Sequence, residues 1–226
     1  MNRILSLYMP ALLLFMLMIG CKKDNFEKPA ALLSGRVVYD KEAVGLRSNG
    51  VQLELWQSGF ELFSKIRVYV AQDGAYSASL FDGDYKLVRL RGNGPWVDNT
   101  DTIDVKVQGN TVVDVPVQPY FLVRNNTIEK SGTTEVKATF SIQRIADGRA
   151  LESVSLFVGR TNIVDAVNNQ GSAVVSAGNI PDLTAPVTIT MNIPAGLAGQ
   201  AAFYARVSVR TAGVAEQIYS QPVKIE

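Results

Sequence analysis

The stretch Val51-Gln52-Leu53-Glu54-Leu55-Trp56 decides the fold class, because apolar and polar side chains alternate along it. A period of two places alternate side chains on one face of a β-strand. Similar short runs, such as Tyr76/Ala78/Leu80 and Ile103/Val105/Val107, recur up to residue 118 and are separated by Gly, Asn and Asp. Residues 31–118 are therefore predicted to form an antiparallel β-sandwich.

Two details of this half predict how its last strand is placed. Gly109-Asn110 fits a two-residue primed hairpin turn, in which glycine adopts positive φ without a steric cost. Pro116 has no N–H to donate to a neighbouring strand, so the strand that contains it is expected at a sheet edge.

Residues 119–226 show the same alternation and predict a second antiparallel β-sandwich. The apolar set Phe203/Ala205/Val207/Val209 belongs to a stretch, residues 197–209, that is similar to the penultimate strand of fibronectin type III domains. The opposite side chains, Tyr204, Arg206 and Arg210, are expected on a solvated face. No helical period is sustained after residue 20, so the fold class is all-β, fibronectin III- or immunoglobulin-like in this half.

Residues 1–20 read as a secretory signal, with Arg3 as the only charge and an apolar run from Ile4 to Ile19. An uncleaved membrane anchor is the alternative, although the run is shorter than the roughly 20 residues that a spanning helix needs. Leu17-Met18-Ile19-Gly20-Cys21 resembles a bacterial lipobox, which implies acylation of Cys21. Residues 21–30 would then be a lipidated tether. The charged run Lys22–Glu27 is similar to the signal that exports lipoproteins to the outer face of the outer membrane, and a generic solvated spacer is the alternative.

Four segments of the first half resemble the transthyretin-like, carboxypeptidase-regulatory sandwich, namely Ser34–Asp40, Gly50–Leu55, Asp73–Tyr76 and Asp82–Tyr85. With the lipobox, the Pro119-Tyr120-Phe121 junction and the fibronectin-like half, the chain resembles Bacteroidota lipoproteins of the "domain of unknown function 3823" family. The resemblance implies an outer-membrane lipoprotein that is associated with SusC/SusD-like glycan importers. It carries no catalytic residues to transfer.

Composition excludes several kinds of chemistry. The chain has 226 residues, no histidine and one cysteine, so a Ser-His-Asp relay, a histidine metal site and an intrachain disulfide are all ruled out. Its 22 basic and 21 acidic side chains nearly cancel, which gives no electrostatic basis for binding nucleic acid. No nucleotide, hydrolase or metalloprotease motif is present. We expect neither an enzyme nor a cofactor.

The acidic segment from Asp98 to Asp104 offers two further expectations. Asp98, Asp101 and Asp104 recur every three residues, and calcium binding is the alternative to simple polar residues that lead into a strand. The segment lacks the glycine and glutamate of an EF-hand loop, so no metal site is predicted. Asp101-Thr102-Ile103 resembles the Bacteroidota sequon for O-glycosylation, which makes Thr102 a candidate modification site.

The two tryptophans are the candidate ligand-binding residues. Trp56 is out of phase with Leu53 and Leu55, so it should project from the opposite face of its strand. Trp96 lies in a loop rich in Gly, Pro and Asn, where binding residues are often found. A flat indole ring can cover the apolar face of a sugar. The alternative for each is packing against a small core or between the domains.

These observations leave two functional hypotheses. In the first, the protein is a lipid-anchored, non-enzymatic accessory of a polysaccharide-uptake system that binds glycan or contacts the SusC/SusD-like transporter. In the second, it is a structural spacer, an assembly factor or an adhesion lipoprotein that binds no sugar. Both require only folded sandwiches on a tether, so the sequence does not separate them.

Overall fold

The computed structural model describes residues 27–59 and 64–226. The predicted signal segment and Cys21 lie outside the described residues. Residues 27–30 have no regular secondary structure and lead into the first strand. The first domain contains the strands β1 Ala31–Tyr39, β2 Glu42–Ala43, β3 Gln52–Gln57, β4 Lys65–Tyr69, β5 Ala75–Leu80, β6 Gly83–Arg89, β7 Ile103–Val107, β8 Asn110–Val112 and β9 Val115–Pro116.

Two sheets enclose the core of the first domain. One has the order β4-β3-β6-β7 and is antiparallel throughout. In the other, β1 pairs with β2 and β5 and also with β8 and β9. The alternating apolar side chains of both sheets fill the space between them, with Leu33, Leu53 and Leu55 fully buried. Burial of this apolar area is the main stabilising contribution to the domain.

The last strands of this domain differ from the expected hairpin. β7 and β8 belong to different sheets, so Gly109-Asn110 is a corner between sheets, and the prediction of a two-residue hairpin turn there was wrong. Gly109 does adopt positive φ (57°), and its N–H donates to Asp82 Oδ1 at 2.8 Å. β8 and β9 run parallel to β1. Among the described residues β9 pairs only with β1, which confirms the edge position predicted from Pro116.

The second domain is also built almost entirely of strands, with a single turn of 3₁₀ helix. Its elements are β10 Phe121–Ser131, β11 Glu135–Arg144, β12 Leu151–Gly159, β13 Gly171–Ser176, the 3₁₀ turn Ala177–Asn179, β14 Val187–Asn192, β15 Phe203–Thr211, β16 Ile218–Tyr219 and β17 Val223–Ile225. The sheets have the orders β10-β11-β14 and β13-β12-β15-β16, and β17 also pairs with β15. The predicted all-β class with two domains in series is confirmed.

The second core follows the predicted alternation closely. All four members of the Phe203/Ala205/Val207/Val209 set are buried, as are Phe140 of β11 and Leu156 of β12. β13 contributes less to this core than the other long strands. Its alternate side chains are only partly buried because it lies at the edge of its sheet.

The two domains contact each other through backbone as well as side chains. Gly45 forms a β-bridge with Tyr219, and Arg47 forms an ion pair with Glu216 at 2.5 Å. A Cβ atom on Gly45 would lie 2.2 Å from the Tyr219 carbonyl oxygen, so only glycine fits this approach. Ile218 of the second domain packs into the core of the first. The described residues contain no helix with the length and apolarity needed to cross a bilayer.

Candidate functional site

Trp56 lies on the outer face of the β4-β3-β6-β7 sheet, as its phase predicted. Leu53 and Leu55 point into the core, whereas Trp56 is partly exposed. In the ladder Trp56 stands between Lys65 of β4 and Lys86 of β6. Side chains at directly opposed positions of paired strands share a face, so the indole ring and both lysine side chains lie on the same side of the sheet.

A groove of about 460 Å³ lies beside Trp56 on this face. That volume is within the range of small-ligand sites, about 300–1,000 Å³. The groove crosses β3, β6 and β7 and combines one large aromatic ring with charged side chains. Its lining residues are Trp56, Ser58, Asp84, Tyr85, Lys86, Asp104, Val105 and Lys106.

The charged side chains around the groove lie in cross-strand pairs. Lys86 Nζ is 2.6 Å from Asp104 Oδ1, and both side chains remain largely exposed, at 59% and 79%. On the other side of Trp56, Lys65 Nζ is 2.5 Å from Glu54 Oε1. Lys86 and Asp104, which line the groove, offer donors and acceptors beside the indole ring, the combination that suits a hydroxylated ligand.

The groove lies toward one end of the first domain. β1 begins at Ala31, which pairs with Leu80 at the end of β5. The turn after β5 is joined to the corner between β7 and β8 by the hydrogen bond from Gly109 N–H to Asp82 Oδ1. The groove is close to this end because Trp56 is the fifth of the six residues of β3 and Asp84, which also lines the groove, is the second residue of β6. The second domain contacts the opposite end, through the loops after β2 and β4. The chain therefore enters the domain near the groove.

Trp96 is a core residue, which corrects the expectation that it stacks on a ligand. It is 5% exposed, belongs to the core of the first domain and forms a β-bridge with Pro119. Val97 N–H donates to the Gln118 carbonyl at 2.9 Å, which holds the loop against the domain junction. An indole ring buried in this way has no free face for a sugar. Its role is the packing alternative that the sequence left open.

The acidic segment does not converge on one point. Asp98 Oδ1 accepts from Gly92 N–H at 2.7 Å, whereas Asp104 lies on β7 in its ion pair with Lys86. Within residues 27–59 and 64–226, no cluster of three or more acidic, histidine or cysteine side chains could hold a metal ion. The calcium alternative therefore gains no support. Thr102 is exposed just before β7, and its glycosylation stays a prediction.

Arg89 is a buried cation that sequence reasoning missed. Its Nη1 and Nη2 donate to the carbonyl oxygens of Pro116 and Asp101, at 2.7 and 3.0 Å. The guanidinium thus fixes the acidic segment to β9 and forms one wall of a second cavity, of about 440 Å³. Arg89 falls in phase with the inward residues of β6, and that phase was the available signal.

The predicted solvated face of β15 is instead covered around Arg206, which is fully buried. Arg206 Nε donates to the Ser220 carbonyl at 2.6 Å, and Nη2 donates to the Gln72 carbonyl of the first domain at 2.8 Å. The guanidinium also lies 4.6 Å from the centre of the Tyr219 ring. Burial lowers the pKa of Arg206 to about 10. Tyr204 and Arg210 are only partly buried.

Comparison with known proteins places the chain in a family. Residues 31–118 match the model described as "Protein of unknown function (DUF3823) N-terminal domain", and residues 121–224 match "Domain of unknown function (DUF3823_C)". No curated protein matches the chain.

Three solved structures are similar over most of the chain. A DUF3823 family protein from Bacteroides ovatus is 41% identical over 86% of this chain and 98% of its own, with a TM-score of 0.80. One from Parabacteroides merdae is 35% identical over 88% and 100%, with a TM-score of 0.81. A Bacteroides uniformis protein described as a "putative carbohydrate binding protein" is 21% identical over 88% and 99%, with a TM-score of 0.69, which shows the shared fold. The chain belongs to the DUF3823 family.

Proposed function

We propose that this protein is a lipid-anchored, non-enzymatic accessory of a polysaccharide-uptake system on the cell surface, and that it binds glycan at the Trp56 groove. The observation that carries the proposal is the position of Trp56 on an outer sheet face, beside a groove lined with paired lysines and carboxylates. An indole ring covers the C–H face of a sugar, while the charged groups bond its hydroxyls. The description of the Bacteroides uniformis protein agrees with this proposal.

The proposed attachment to the membrane depends on Cys21 and the residues next to it in the sequence. A small residue, Gly20, precedes the cysteine, as the peptidase that cleaves before it requires, and the lipid is attached through the sulfur of Cys21. Diacylglycerol plus an N-acyl chain exceeds the two-signal threshold for stable anchoring. The ten residues 21–30 span at most about 35 Å when fully extended. The first domain would therefore begin within that reach of the membrane, with the groove toward the same end of the domain.

A binding role, rather than catalysis, agrees with the packing of the tyrosines whose pKa is raised, because each of their hydroxyls takes part in a hydrogen bond with the backbone. Burial raises the pKa of Tyr76, whose hydroxyl donates to the Val113 carbonyl inside the first domain. Burial raises the pKa of Tyr219 to about 12, at the contact between the domains. Neither phenol lines the groove. Tyr85, which does line it, also has its pKa raised by burial, and its hydroxyl donates to the Phe81 carbonyl at 3.0 Å. The groove carboxylate of Asp104 is held by Lys86.

The second candidate function is a spacer or assembly factor that contacts the SusC/SusD-like transporter without binding sugar. The specific observation in its favour is the interdomain contact. A β-bridge between Gly45 and Tyr219 and the Arg47–Glu216 ion pair join the two sandwiches, as a spacer of fixed length would require. Under this second function, the groove near the start of β1 is a surface that contacts another protein.

Affinity electrophoresis of the full chain against a panel of polysaccharides separates the two functions. We expect retardation by at least one polysaccharide, and we expect Trp56→Ala to abolish it. Tyr69→Ala is the matched control, because Tyr69 is an exposed aromatic residue on the same sheet outside the groove. If no polysaccharide retards the protein, glycan binding is refuted. Recovery of SusC/SusD-like proteins after cross-linking would then support the spacer.

The anchor is tested independently by mass spectrometry of the protein isolated from its native membrane. The expected product begins at Cys21 and carries fatty acyl chains on that residue. A free thiol at Cys21 would refute the anchor and leave the binding proposal to be judged on its own experiment.

A further inference from the structure

We infer that the glycan bound at the Trp56 groove is neutral rather than acidic. The inference rests on the proposed function and adds the chemical class of the ligand. It follows from how the charges around the groove are arranged, because each acidic side chain in the described part of its lining faces a lysine on the neighbouring strand. A surface of this kind presents both charges locally and no net field.

Three cross-strand pairs carry the argument. Lys86 and Asp104 form an ion pair across β6 and β7 at 2.6 Å. Asp84 and Lys106 stand directly opposite each other on the same two strands. On the far side of Trp56, Lys65 pairs with Glu54 at 2.5 Å across β3 and β4. Within the described part of the groove lining, two acidic side chains therefore balance two basic ones.

One further cation lies on this face but outside the groove. Arg67 stands opposite Glu54 in the ladder, two residues along β4 from Lys65. Glu54 is buried between these two basic positions, whereas the groove lies on the side of Trp56 toward β6 and β7. Arg67 therefore does not supply a cation to a ligand in the groove.

An acidic glycan would gain little on this surface. Its carboxylate or sulfate would have to compete with Asp104 for Lys86, and it would approach Asp84 and Asp104 as a like charge, which is unfavourable. A neutral sugar has no such conflict, because each hydroxyl can donate to a carboxylate and accept from an ammonium group. The paired charges can then bond the hydroxyls without separating from each other.

The test compares neutral and acidic polysaccharides as ligands of the full chain in detergent. The neutral probes are xyloglucan and galactomannan, and the acidic probes are polygalacturonate and chondroitin sulfate, each at low and high salt. We expect binding of a neutral probe that changes less than about twofold with salt, since screening weakens only charge-based attraction. Salt-sensitive binding of the acidic probes alone would overturn the inference but keep a glycan site. Binding of no probe would refute the proposed function as well.

A variant that lacks the acidic side chains of the groove should bind an acidic polysaccharide more tightly than the unmodified protein does. Asp84→Asn combined with Asp104→Asn leaves Lys86 and Lys106 without their acidic partners. This variant should gain about tenfold or more in affinity for polygalacturonate at low salt, the size of one close charge interaction. The control, Asp40→Asn with Asp147→Asn, makes the same change in net charge at exposed sites away from the groove. An equal gain in the control, or none in the test variant, would contradict the inference.

Discussion

β3 and β15 are central strands of their sheets, and their outer faces have similar sequence patterns but different surroundings in the structure. Both strands alternate core residues with polar or aromatic ones. On β3, the Trp56 face carries the groove, and Lys86 beside Trp56 keeps more than half of its side chain exposed. On β15, the equivalent face is covered, and Arg206 is completely buried. One face carries a groove, and the other holds the two domains together.

The difference arises from residues far away in the chain. Arg206 donates to the Gln72 carbonyl, 134 residues earlier, and to the Ser220 carbonyl of the closing segment. Tyr219 covers the guanidinium, and buried Ser208 donates to Gln217 at 2.6 Å. Alternation within a strand therefore identifies which side chains leave the core. It does not show whether a second domain covers them.

The largest expected difference is between the two tryptophans. Trp96→Ala should lower the free energy of unfolding by about 3–5 kcal/mol, because it opens a cavity in a packed core. Trp56→Ala should cost less than about 1 kcal/mol, since its ring lies on the surface. Urea unfolding of both variants checks this. Equal costs would mean that the two indole rings are not in the environments described.

Arg206 and Arg210, on the same strand, should also differ. Arg206→Met leaves the buried Ser220 carbonyl without this donor, whereas the Gln72 carbonyl keeps the N–H of Leu46, and we expect a loss of about 1–3 kcal/mol, the cost of one unsatisfied group. Arg210→Met breaks only the half-exposed pair with Glu152 and should cost less than about 1 kcal/mol. Chemical denaturation compares them. A small loss of unfolding free energy in Arg206→Met would indicate that the second domain does not cover this face in solution.

Gly45 tests the contact that covers this face. A methyl group at Gly45 would lie 2.2 Å from a backbone oxygen of Tyr219, so Gly45→Ala must displace one domain. Overpacking of this kind typically costs about 1–3 kcal/mol. Gly178→Ala is the control, because nothing lies near its added methyl group. Differential scanning calorimetry and limited proteolysis at the domain junction should register the first variant only.

The last expected difference is a pH dependence from Tyr219. Burial raises the pKa of its phenol from 10 to about 12, so the fold favours the neutral form. That contribution is complete below about pH 10 and is lost as the pH rises from 10 to 12. The unfolding free energy should therefore fall over this interval, and less steeply in Tyr219→Phe. Tyr69→Phe, at an exposed site, should leave the slope unchanged.

Local periodicity predicted most of the fold. The buried positions Leu53, Leu55 and Phe203 follow from alternation alone, and the edge position of Pro116 follows from its missing N–H. The prediction failed where the chain changes sheets. Gly109 has the conformation expected of a turn residue, but which sheet receives the next strand depends on packing across the whole domain.

The candidate site was predictable in part. The phase of Trp56 identified its face, whereas the loop composition around Trp96 suggested exposure that the core packing does not allow. The lysines and carboxylates beside Trp56 come from β6 and β7 and meet it only through strand pairing. Sequence spacing cannot give that register. Arg89 and Arg206 were missed for the same reason, because their acceptors are distant carbonyl oxygens.

The most direct test of the Trp56 groove uses the two tryptophans as reporters. Trp96→Phe leaves Trp56 as the single tryptophan of the chain, so its fluorescence reports on the groove alone. Titration with a retarding neutral polysaccharide should shift the emission to shorter wavelength and protect it from acrylamide quenching, because the sugar excludes water from the indole ring. Unchanged emission and quenching while the polysaccharide binds would show that the ligand lies elsewhere and would contradict the account.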